Sequence, residues 1–365
     1  MNNCKKICLV DPLSPYGHKD VNNVLITELK KLGKLTVLCS DSLIDSKRKD
    51  VDYIQYDDSY FFIGKNSFIN RIRLVNALKK MCSVINQGEF DVVIFSSYEV
   101  ITVYIVFNIL KIMDKKIYSN LYILNHSNID DVRNSRIKAF AYKRLNRCIT
   151  NLCYEEFIGK FIQENYNKKW KLLRHNINDY KKLYYDIDNS KIISFFEKKD
   201  YTYISILGEL AFKDQIFKEL IQLEESGYLQ RKKIKIFIKE KNICKETNNI
   251  IFFNKYLSDT EYSYVLDKSH YISIIYNAKE YKYRVSGIFF DAVTFKKPII
   301  YRKSLFFQEI KDRFGNFGIE YKDCMREVID CIFNNNYRQL CAIMDEIYDY
   351  YSDKNVKEDL IKIIN

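Results

Sequence analysis

The chain has 365 residues, of which 47% are hydrophobic, so it is long enough for two domains and is not globally disordered. The net charge of +12 favours anionic partners such as phosphate-rich molecules, although a Lys-rich solvated surface explains the same balance. The ten cysteines form no Cys-x-x-Cys pair, which indicates a reducing compartment and argues against a zinc framework.

The first half of the chain alternates short apolar runs with amphipathic segments. We predict strands at 6–11, 35–39, 51–56, 90–96, 121–126, 147–152 and 170–175. Helices are predicted at 21–32, 67–87, 100–113, 133–145 and 155–165. This alternation is typical of a doubly wound parallel sheet. The apolar segment at 100–113 is shorter than the roughly 20 residues of a membrane-spanning helix, so we expect a soluble or peripheral protein.

Residues 176–200 have no clear period, and the alternation restarts after them. Strands are predicted at 201–207, 233–239 (half-exposed, because Lys alternates with Ile and Phe), 250–253, 270–276 and 317–321, with a further strand that opens at Pro298. A capping box, Ser258-Asp-Thr-Glu261, predicts the start of a helix. We therefore predict a first domain at 1–180, a linker at 181–200, a second domain at 201–335 and C-terminal helices at 336–365, which are free to cross back to the first domain.

The stretch 270–304 combines a strand, a polar loop and a short helix before the next strand. The loop carries Arg284, Ser286 and Gly287, and Asp291 lies one turn into the helix. Backbone N–H groups at a Ser-Gly turn that opens a helix can bind an anion, and a nearby carboxylate can bind a sugar hydroxyl. The stretch therefore predicts a nucleotide-sugar site. The alternative for Asp291 is an interior hydrogen bond, since a carboxylate in the apolar segment IFFDAVTF needs a partner.

Ordered motifs over residues 201–321 resemble the donor domain of retaining GT-B glycosyltransferases of family 4, also called glycosyl transferases group 1. YTYISILGELAFKDQIFKELI resembles the opening strand, Gly loop and helix start of that family. YLSDTEYSYVLDKSHYISIIY and YRVSGIFFDAVTFKKPIIYRKS resemble the two runs that follow, the second one carrying the family's "SG…eA…g.PvI" signature. LYILNHSN and KKWKLLRHNIND resemble further strand exits. The resemblance implies an α/β fold with two Rossmann-like domains facing a cleft.

The same resemblance implies a transfer of sugar from a nucleotide diphosphate donor to a glycan or lipid-linked acceptor. The divergent style of the sequence leads us to expect a role in bacterial surface polysaccharide synthesis. Cations and backbone N–H groups must meet the charge that develops on the diphosphate. The implied catalytic residues are His126, Lys213 and Arg284. The implied donor-binding residues are Gly17, Gly208, Lys213, Arg284, Ser286, Gly287 and Asp291, and His18 is assigned to the acceptor. No cofactor and no metal are expected, and the expected location is the cytoplasm or the inner face of the membrane.

One position departs from the family pattern. Tyr283 stands where the family has the first carboxylate of its Glu-x7-Glu motif, and Glu280 is the nearest substitute in sequence. This departure motivates an alternative, a non-catalytic GT-B-like binding or partner subunit. A basic nucleic-acid-binding protein is a third hypothesis, and the dispersed basic residues and the lack of an RNA-binding signature argue against it.

Simple structural interpretations remain open for several of these residues. Lys213 is also consistent with a surface lysine and His126 with a loop cap, whereas His175 and His270 are expected to be structural. In the basic segment 135–149, Ile137, Ala141, Leu145 and Cys148 share one side, so we expect an ordinary core-facing helix. Peripheral contact with an anionic membrane is the alternative for that segment.

Overall fold

A computed structural model describes residues 4–11, 19–40, 50–56, 68–113, 121–126, 128–177, 187, 189–208, 210–240, 247–253, 257–277 and 281–364. The chain separates into two compact units. The first unit comprises Met1–Asn176 together with Asp353–Asn365, and the second comprises Ile177–Ser352.

The first unit is a parallel sheet with helices. Its described strands are β1 (Lys6–Val10), β2 (Lys34–Ser40), β3 (Asp52–Tyr56), β4 (Val92–Phe95), β5 (Leu121–Asn125), β6 (Thr150–Cys153) and β7 (Trp170–Leu172). Its described helices are α1 (Lys19–Leu29), α2 (Phe68–Gln87), α3 (Val100–Met113), α4 (Asn128–Asn134), α5 (Arg136–Leu145) and α6 (Glu156–Tyr166), with α15 (Asp353–Ile364) from the end of the chain.

The strand order of this sheet is β3-β2-β1-β4-β5-β6-β7, and all paired strands are parallel. Every residue of β4, and all of β1 after Lys6, is buried, as expected for strands covered on both faces. The chain order reverses next to β1, because β2 follows on one side and β4 on the other. In such sheets ligands bind at the carboxyl ends of the strands, at this reversal.

The second unit repeats this plan. Its described strands are β8 (Thr202–Ile206), β9 (Ile234–Lys239), β10 (Ile250–Phe253), β11 (Tyr271–Ile274), β12 (Ile299–Tyr301) and β13 (Gly318–Glu320), all parallel, in the order β10-β9-β8-β11-β12-β13. Its described helices are α7 (Ser190–Phe195), α8 (Lys213–Glu225), α9 (Tyr228–Arg231), α10 (Asp259–Lys268), α11 (Gly287–Thr294), α12 (Leu305–Phe314), α13 (Met325–Asn334) and α14 (Tyr337–Tyr350). The order reverses between β8 and β11. Two Rossmann-like sheets were expected, and this expectation is confirmed.

The predicted C-terminal segment at 336–365 divides between the two units. Helix α14 belongs to the second unit, whereas α15 belongs to the first. The last carbonyl groups of α15 accept hydrogen bonds from the first unit, at 3.2 Å from the Tyr122 hydroxyl to Ile363 O and at 3.3 Å from Lys171 Nζ to Lys362 O. Those carbonyls have no partner inside the helix, so these donors stabilise its end.

The predicted linker at 181–200 contains a structured element. Helix α7 falls within it and belongs to the second unit, and Ile192 and Phe195 of this helix are buried. Asn189 caps the helix through its side chain, which accepts from Ile192 N. The six-residue helix is too short to show a helical period, which is why the sequence alone indicated a linker.

The expectation of a half-exposed strand at 233–239 is wrong. Strand β9 is buried along its length up to Lys239, because it lies between β8 and β10 and is covered by helices. Lys235 itself is buried, and its ammonium lies 3.4 Å from the Phe195 carbonyl oxygen and 4.6 Å from the Phe195 ring centroid. The long apolar stem of lysine allows it to occupy such a position while its charge finds a carbonyl and an aromatic face.

The predicted basic helix at 133–145 is divided into α4 and α5. Ser135 interrupts it, with extended backbone, and its side chain caps α5 by accepting from Lys138 N at 3.3 Å. Ala141 and Leu145 face the core as expected, together with Tyr142. Ile137 does not, since 71% of it is exposed. It lies at the edge of the buried stripe, where neighbouring helices do not cover it.

Candidate functional site

The loops that follow β8 and β11 lie side by side at the reversal of the second sheet. Gly208 follows β8, and a Cβ atom added to it would lie 2.2 Å from Ile288 Cδ1, in the first turn of α11. The glycine therefore permits the exit of β8 to approach the start of α11. The loop after β8 is joined to the exit of β11 by a 2.7 Å hydrogen bond from Ala211 N to Ile275 O.

Ser286 caps α11 and fixes the start of that helix. Its hydroxyl accepts from Phe289 N at 3.2 Å and lies 3.2 Å from the Tyr276 hydroxyl. A Cβ atom added to Gly287 would meet nothing within 4 Å, so there is open space beside this residue. The arrangement leaves room for a ligand at the amino end of α11, where backbone N–H groups favour an anion.

Arg284 is held beside this helix start by aromatic rings. Its guanidinium lies 5.1 Å from the Tyr281 ring centroid, and Tyr281 stacks on Tyr276 with centroids 4.6 Å apart. A small cavity is lined by these three residues together with Ser286, Arg302 and Ser304. Two arginine side chains therefore line one small cavity together with Ser286, the residue that caps α11.

Arg302 is a candidate site residue that the sequence reasoning missed. It directly follows β12, and its guanidinium lies 4.4 Å from the Phe212 ring centroid and 3.3 Å from an Asp323 carboxylate oxygen. Its other terminal nitrogen, Nη1, has no hydrogen-bond partner among the described residues. A basic residue at the carboxyl end of a parallel strand was a signal that could have identified it.

Lys213 begins α8, as predicted, and its ammonium is paired. It lies 2.6 Å from Glu240 Oε1, directly after β9, and 5.9 Å from the Phe217 ring centroid. The Lys213 side chain is 35% exposed, so its ammonium is accessible to solvent. An incoming anion would therefore meet a lysine that already shares its charge with a carboxylate.

Asp291 lies one turn into α11 and is buried. Its Oδ2 accepts a 2.8 Å hydrogen bond from the Tyr262 hydroxyl of α10. The interior partner anticipated as the alternative for this carboxylate is thus present.

Tyr283, the residue that departs from the family pattern, lies in the loop between β11 and α11. Lys282 Nζ is 5.6 Å from its ring centroid. Its proposed substitute Glu280 lies outside the described residues, as do Gly17 and His18 of the first unit.

In the first unit, His126 follows β5 and is buried. Its backbone N–H donates to Asn128 Oδ1 at 2.9 Å, which fixes the turn into α4. Its ring is 5.8 Å from that of Tyr154, and Tyr154 in turn is 4.7 Å from His175. Burial, followed by the charge of Asp11, raises the pKa of the Tyr154 hydroxyl, so this phenol stays neutral.

A buried network of amides and phenols supports this end of the sheet. The Tyr98 and Tyr142 hydroxyls donate to Asn125 Oδ1 at 2.7 and 2.9 Å, and Asn125 Nδ2 donates to Asn151 Oδ1 at 3.1 Å. Close by, Asp11 after β1 accepts from Asn22 and Ser97. Asn128, which accepts from the His126 backbone, joins this network by donating to Asn125 Oδ1 at 3.2 Å, so the network supports His126.

No metal centre emerges from the described part of the chain. Among these residues no group of three or more His, Cys, Asp or Glu side chains is placed to hold an ion. The expectation of a metal-independent protein is not tested by this finding and stays a prediction. No described helix is both long and apolar enough to cross a bilayer.

Comparison with known proteins shows likeness in structure only. No protein-family model matches the chain, and no curated protein matches its sequence. A glycosyltransferase structure from Rickettsia africae covers 99% of this chain and 98% of its own, with 13% identity and a TM-score of 0.63. A UDP-forming trehalose-phosphate synthase from Burkholderia xenovorans covers 99% and 98%, with 8% identity and a TM-score of 0.64.

A third structure similar to this chain is that of HepE from Anabaena, determined in complex with UDP and glucose. It covers 98% of both chains with 11% identity and a TM-score of 0.64. At such low identities the similarity shows the fold, and it does so over the whole length of the chain. The protein therefore has the two-unit Rossmann-like fold of these glycosyltransferase structures, the GT-B architecture that the sequence motifs implied.

Proposed function

We propose that this protein is a retaining glycosyltransferase that moves a sugar from a nucleotide diphosphate sugar to a hydroxyl of a glycan or lipid-linked acceptor. The observation that carries the proposal is a small cavity on the second unit, which Arg284 and Arg302 line together with Ser286, the residue that caps α11. The fold adds support, because the similar structures include glycosyltransferases and one that holds UDP and glucose.

The chemistry proposed for this site follows from its charges. The diphosphate becomes more negative as the glycosidic bond breaks, and nearby guanidinium groups and helix N–H groups stabilise that charge. Arg284 and Arg302, with the amides around Ser286 and Gly287, would bind the diphosphate. Asp291 would accept from sugar hydroxyls of the nucleotide. A donor phosphate oxygen would take the proton of the acceptor hydroxyl, and no covalent intermediate with the protein is required.

The proposed roles in the first unit are less direct. His126, supported by the buried network around Asn125, would donate a hydrogen bond to the reacting sugar, and Gly17 and His18 would contribute to donor and acceptor binding. Such a reaction would belong to the cytoplasm, including the inner face of the membrane, where a lipid-linked acceptor is presented. A role in bacterial surface polysaccharide synthesis fits this assignment.

A thermal-shift panel of UDP-, GDP- and ADP-sugars tests the donor site. We expect one class of nucleotide sugar to raise the melting temperature of the wild type. The variants Arg284→Gln and Arg302→Gln should bind it about tenfold or more weakly, since each loses a charge-assisted hydrogen bond. Arg338→Gln, at an exposed position of α14, is the matched control and should bind like the wild type. No stabilisation by any nucleotide sugar would sink the proposal.

Activity and stereochemistry need a second measurement. Incubation of the donor with acceptor mixtures, followed by mass spectrometry, should show a glycosylated product or slow hydrolysis of the donor. The anomeric configuration of the product, from its proton coupling, should match that of the donor. Inversion would contradict the retaining assignment and leave the transferase assignment intact.

The alternative of a non-catalytic binding subunit rests on two observations. Tyr283 stands at a carboxylate position of the family motif, and Lys213 is already paired with Glu240 at 2.6 Å. Nucleotide-sugar binding without transfer or hydrolysis would favour this alternative. In that case we expect Tyr283→Glu to bind the donor at least as well, because a carboxylate would restore an acceptor for its hydroxyls.

A further inference from the structure

Helix α5 presents one continuous exposed stripe. Its members recur at the helical spacing of one face, and they are Arg136, Ile137, Phe140, Lys143, Arg144 and, just beyond the helix, Arg147. The opposite face of the helix is buried through Ala141, Tyr142 and Leu145. The stripe is therefore a distinct surface, which we call the α5 stripe.

The apolar part of the α5 stripe is unusually exposed. Ile137 is 71% exposed and Phe140 54%, and these are the most exposed large apolar side chains among the described residues. Helix α3, which packs against α5, carries a further exposed apolar side chain, Ile105, which is 38% exposed. Large apolar side chains clustered on a surface mark an interaction site rather than a random occurrence.

The charged part of the α5 stripe has one sign. Four of its six members are Arg or Lys, and helix α5 contains no acidic residue. The helix's other cation, Lys138, is held inward by Asp131 at 2.9 Å and Glu99 at 3.5 Å. The Arg144 guanidinium lies 5.1 Å from the Phe140 ring centroid, so cation and apolar surface are adjacent. The partner of the stripe must therefore be both anionic and apolar.

We infer that the α5 stripe docks the protein on the surface of an anionic lipid bilayer. The basic side chains would reach the headgroup phosphates, while Ile137 and Phe140 would enter the boundary with the acyl chains. A nucleic acid would attract the same cations, but it would gain nothing from covering Ile137. The contact is peripheral, and it stands independently of the glycosyl-transfer proposal because it uses none of the residues assigned to that reaction.

The size of the effect can be estimated from the charges. Each basic residue close to an anionic leaflet contributes a factor of roughly five to membrane affinity at moderate salt. Removing three cations of the stripe should thus weaken vesicle binding on the order of a hundredfold. Burial of the apolar pair, Ile137 and Phe140, adds a contribution to the binding free energy that salt does not screen.

Co-sedimentation of the full chain with vesicles tests the inference. Vesicles of phosphatidylglycerol and phosphatidylethanolamine should bind the protein, and vesicles of phosphatidylcholine alone should bind it far more weakly. Two variants probe the stripe separately, one with its apolar pair replaced and one with three cations replaced. They are Ile137→Ser with Phe140→Ser, and Arg136→Gln with Lys143→Gln and Arg144→Gln.

Matched controls exist on the second unit. Phe333→Ser replaces another exposed Phe, which is 48% exposed, and a triple change at exposed lysines removes the same charge as the stripe variant. That control triple is Lys199→Gln, Lys218→Gln and Lys311→Gln. Both stripe variants should lose vesicle binding at least tenfold, whereas both controls should stay within about threefold of the wild type. All changed side chains are exposed, so the melting temperatures should stay close to that of the wild type.

Three outcomes would overturn the inference. The first is no binding to anionic vesicles at 50 mM salt, and the second is equal loss of binding in the control and stripe variants. The third is wild-type vesicle binding by the Ile137→Ser, Phe140→Ser variant while the cation variant loses both vesicle and single-stranded RNA binding. That pattern would identify the stripe as a general polyanion surface. Donor binding in the thermal-shift panel is measured separately, so failure here leaves the glycosyltransferase proposal unaffected.

Discussion

Several side chains in this protein form hydrogen bonds with residues from distant parts of the chain. The Asp291 carboxylate of α11 accepts from Tyr262 of α10 at 2.8 Å, although 29 positions separate them. His270, just before β11, accepts from Tyr203 N of β8 at 3.1 Å through Nδ1 and stacks on the Tyr203 ring. An imidazole nitrogen that accepts from a backbone N–H carries no proton, so this residue makes stability depend on pH.

Titration of His270 should reduce the stability of the second unit in acid. Burial, reinforced by the charge of Lys297, lowers the pKa of this imidazole below its ordinary value of 6.5. In the unfolded chain the imidazole takes up a proton near that ordinary value, whereas in the folded unit it stays neutral to a lower pH. The free energy of unfolding should therefore fall as pH drops below 6.5, by at most about 1.4 kcal/mol per pH unit for this group.

The variant His270→Gln provides the comparison, because it keeps an acceptor for Tyr203 N and does not titrate. Urea unfolding followed by circular dichroism at several values between pH 7.5 and pH 4.5 should show a shallower decline for the variant. Equal slopes in the two proteins would contradict the assignment. An NMR titration of the imidazole gives a direct check of its lowered pKa.

The residues of the candidate site were predictable only in part. Arg284, Ser286, Gly208 and Lys213 lie where the sequence places strand exits and helix starts, because these positions depend on neighbours in sequence. Their partners were not predictable, since Glu240 and Tyr276 reach them across strands and loops. Arg302 was missed although it follows a predicted strand, because its shared cavity with Arg284 depends on the sheet order.

At the scale of helices and strands, local signals were the most reliable. The capping box that starts α10 was predicted and is confirmed, with Ser258 Oγ accepting from Glu261 N at 3.2 Å and Glu261 Oε2 accepting from Ser258 N at 2.7 Å. Both hydrogen bonds form within four consecutive residues, so the sequence motif alone is enough to predict them. The burial of Lys235 was not predictable in this way, because it depends on α7, a helix 40 positions away.

Removal of the Ser258 hydroxyl should destabilise the start of α10. Ser258→Ala is expected to lower the free energy of unfolding by about 1 kcal/mol, since the first-turn N–H of Glu261 loses its acceptor. Ser258→Asp keeps a side-chain oxygen for this N–H, so it is the matched comparison and should stay within a few tenths of a kcal/mol of the wild type. Urea unfolding measured by circular dichroism distinguishes the two, and equal losses would show that the hydroxyl makes no specific contribution.

At the scale of the whole molecule, the strand–helix alternation predicted two parallel sheets, and both are present. The positions at which the chain passes from one unit to the other were harder to predict from the sequence. The first unit takes residues from both ends of the sequence, and the return of α15 depends on a contact between Arg174 and Asp359. Arg174 Nη1 lies 3.2 Å from Asp359 Oδ1, and Arg174 N donates to Oδ2 at 3.1 Å.

Loss of this ion pair should loosen α15 from the first unit. Asp359 is buried, and removal of one partner of a buried pair costs about 3 kcal/mol. We expect Asp359→Ala to lower the urea midpoint of the first unit and Glu358→Ala, at the exposed neighbouring position, to leave it unchanged. Fluorescence of Trp170 reports this unit selectively, because it is the chain's only tryptophan and lies in β7. A midpoint unaffected by Asp359→Ala would show that the pair does not hold the helix.

The return of α15 also has a consequence for biosynthesis. A ribosome makes residues 177–352, the whole second unit, before it makes the helix that completes the first. A released chain that stops after residue 352 therefore keeps the whole second unit and lacks only the helix that packs against α1 and β7 in the first. Nascent chains released from arrest between residues 352 and 364 should accordingly contain a protease-resistant second unit attached to a first unit that is still susceptible to cleavage.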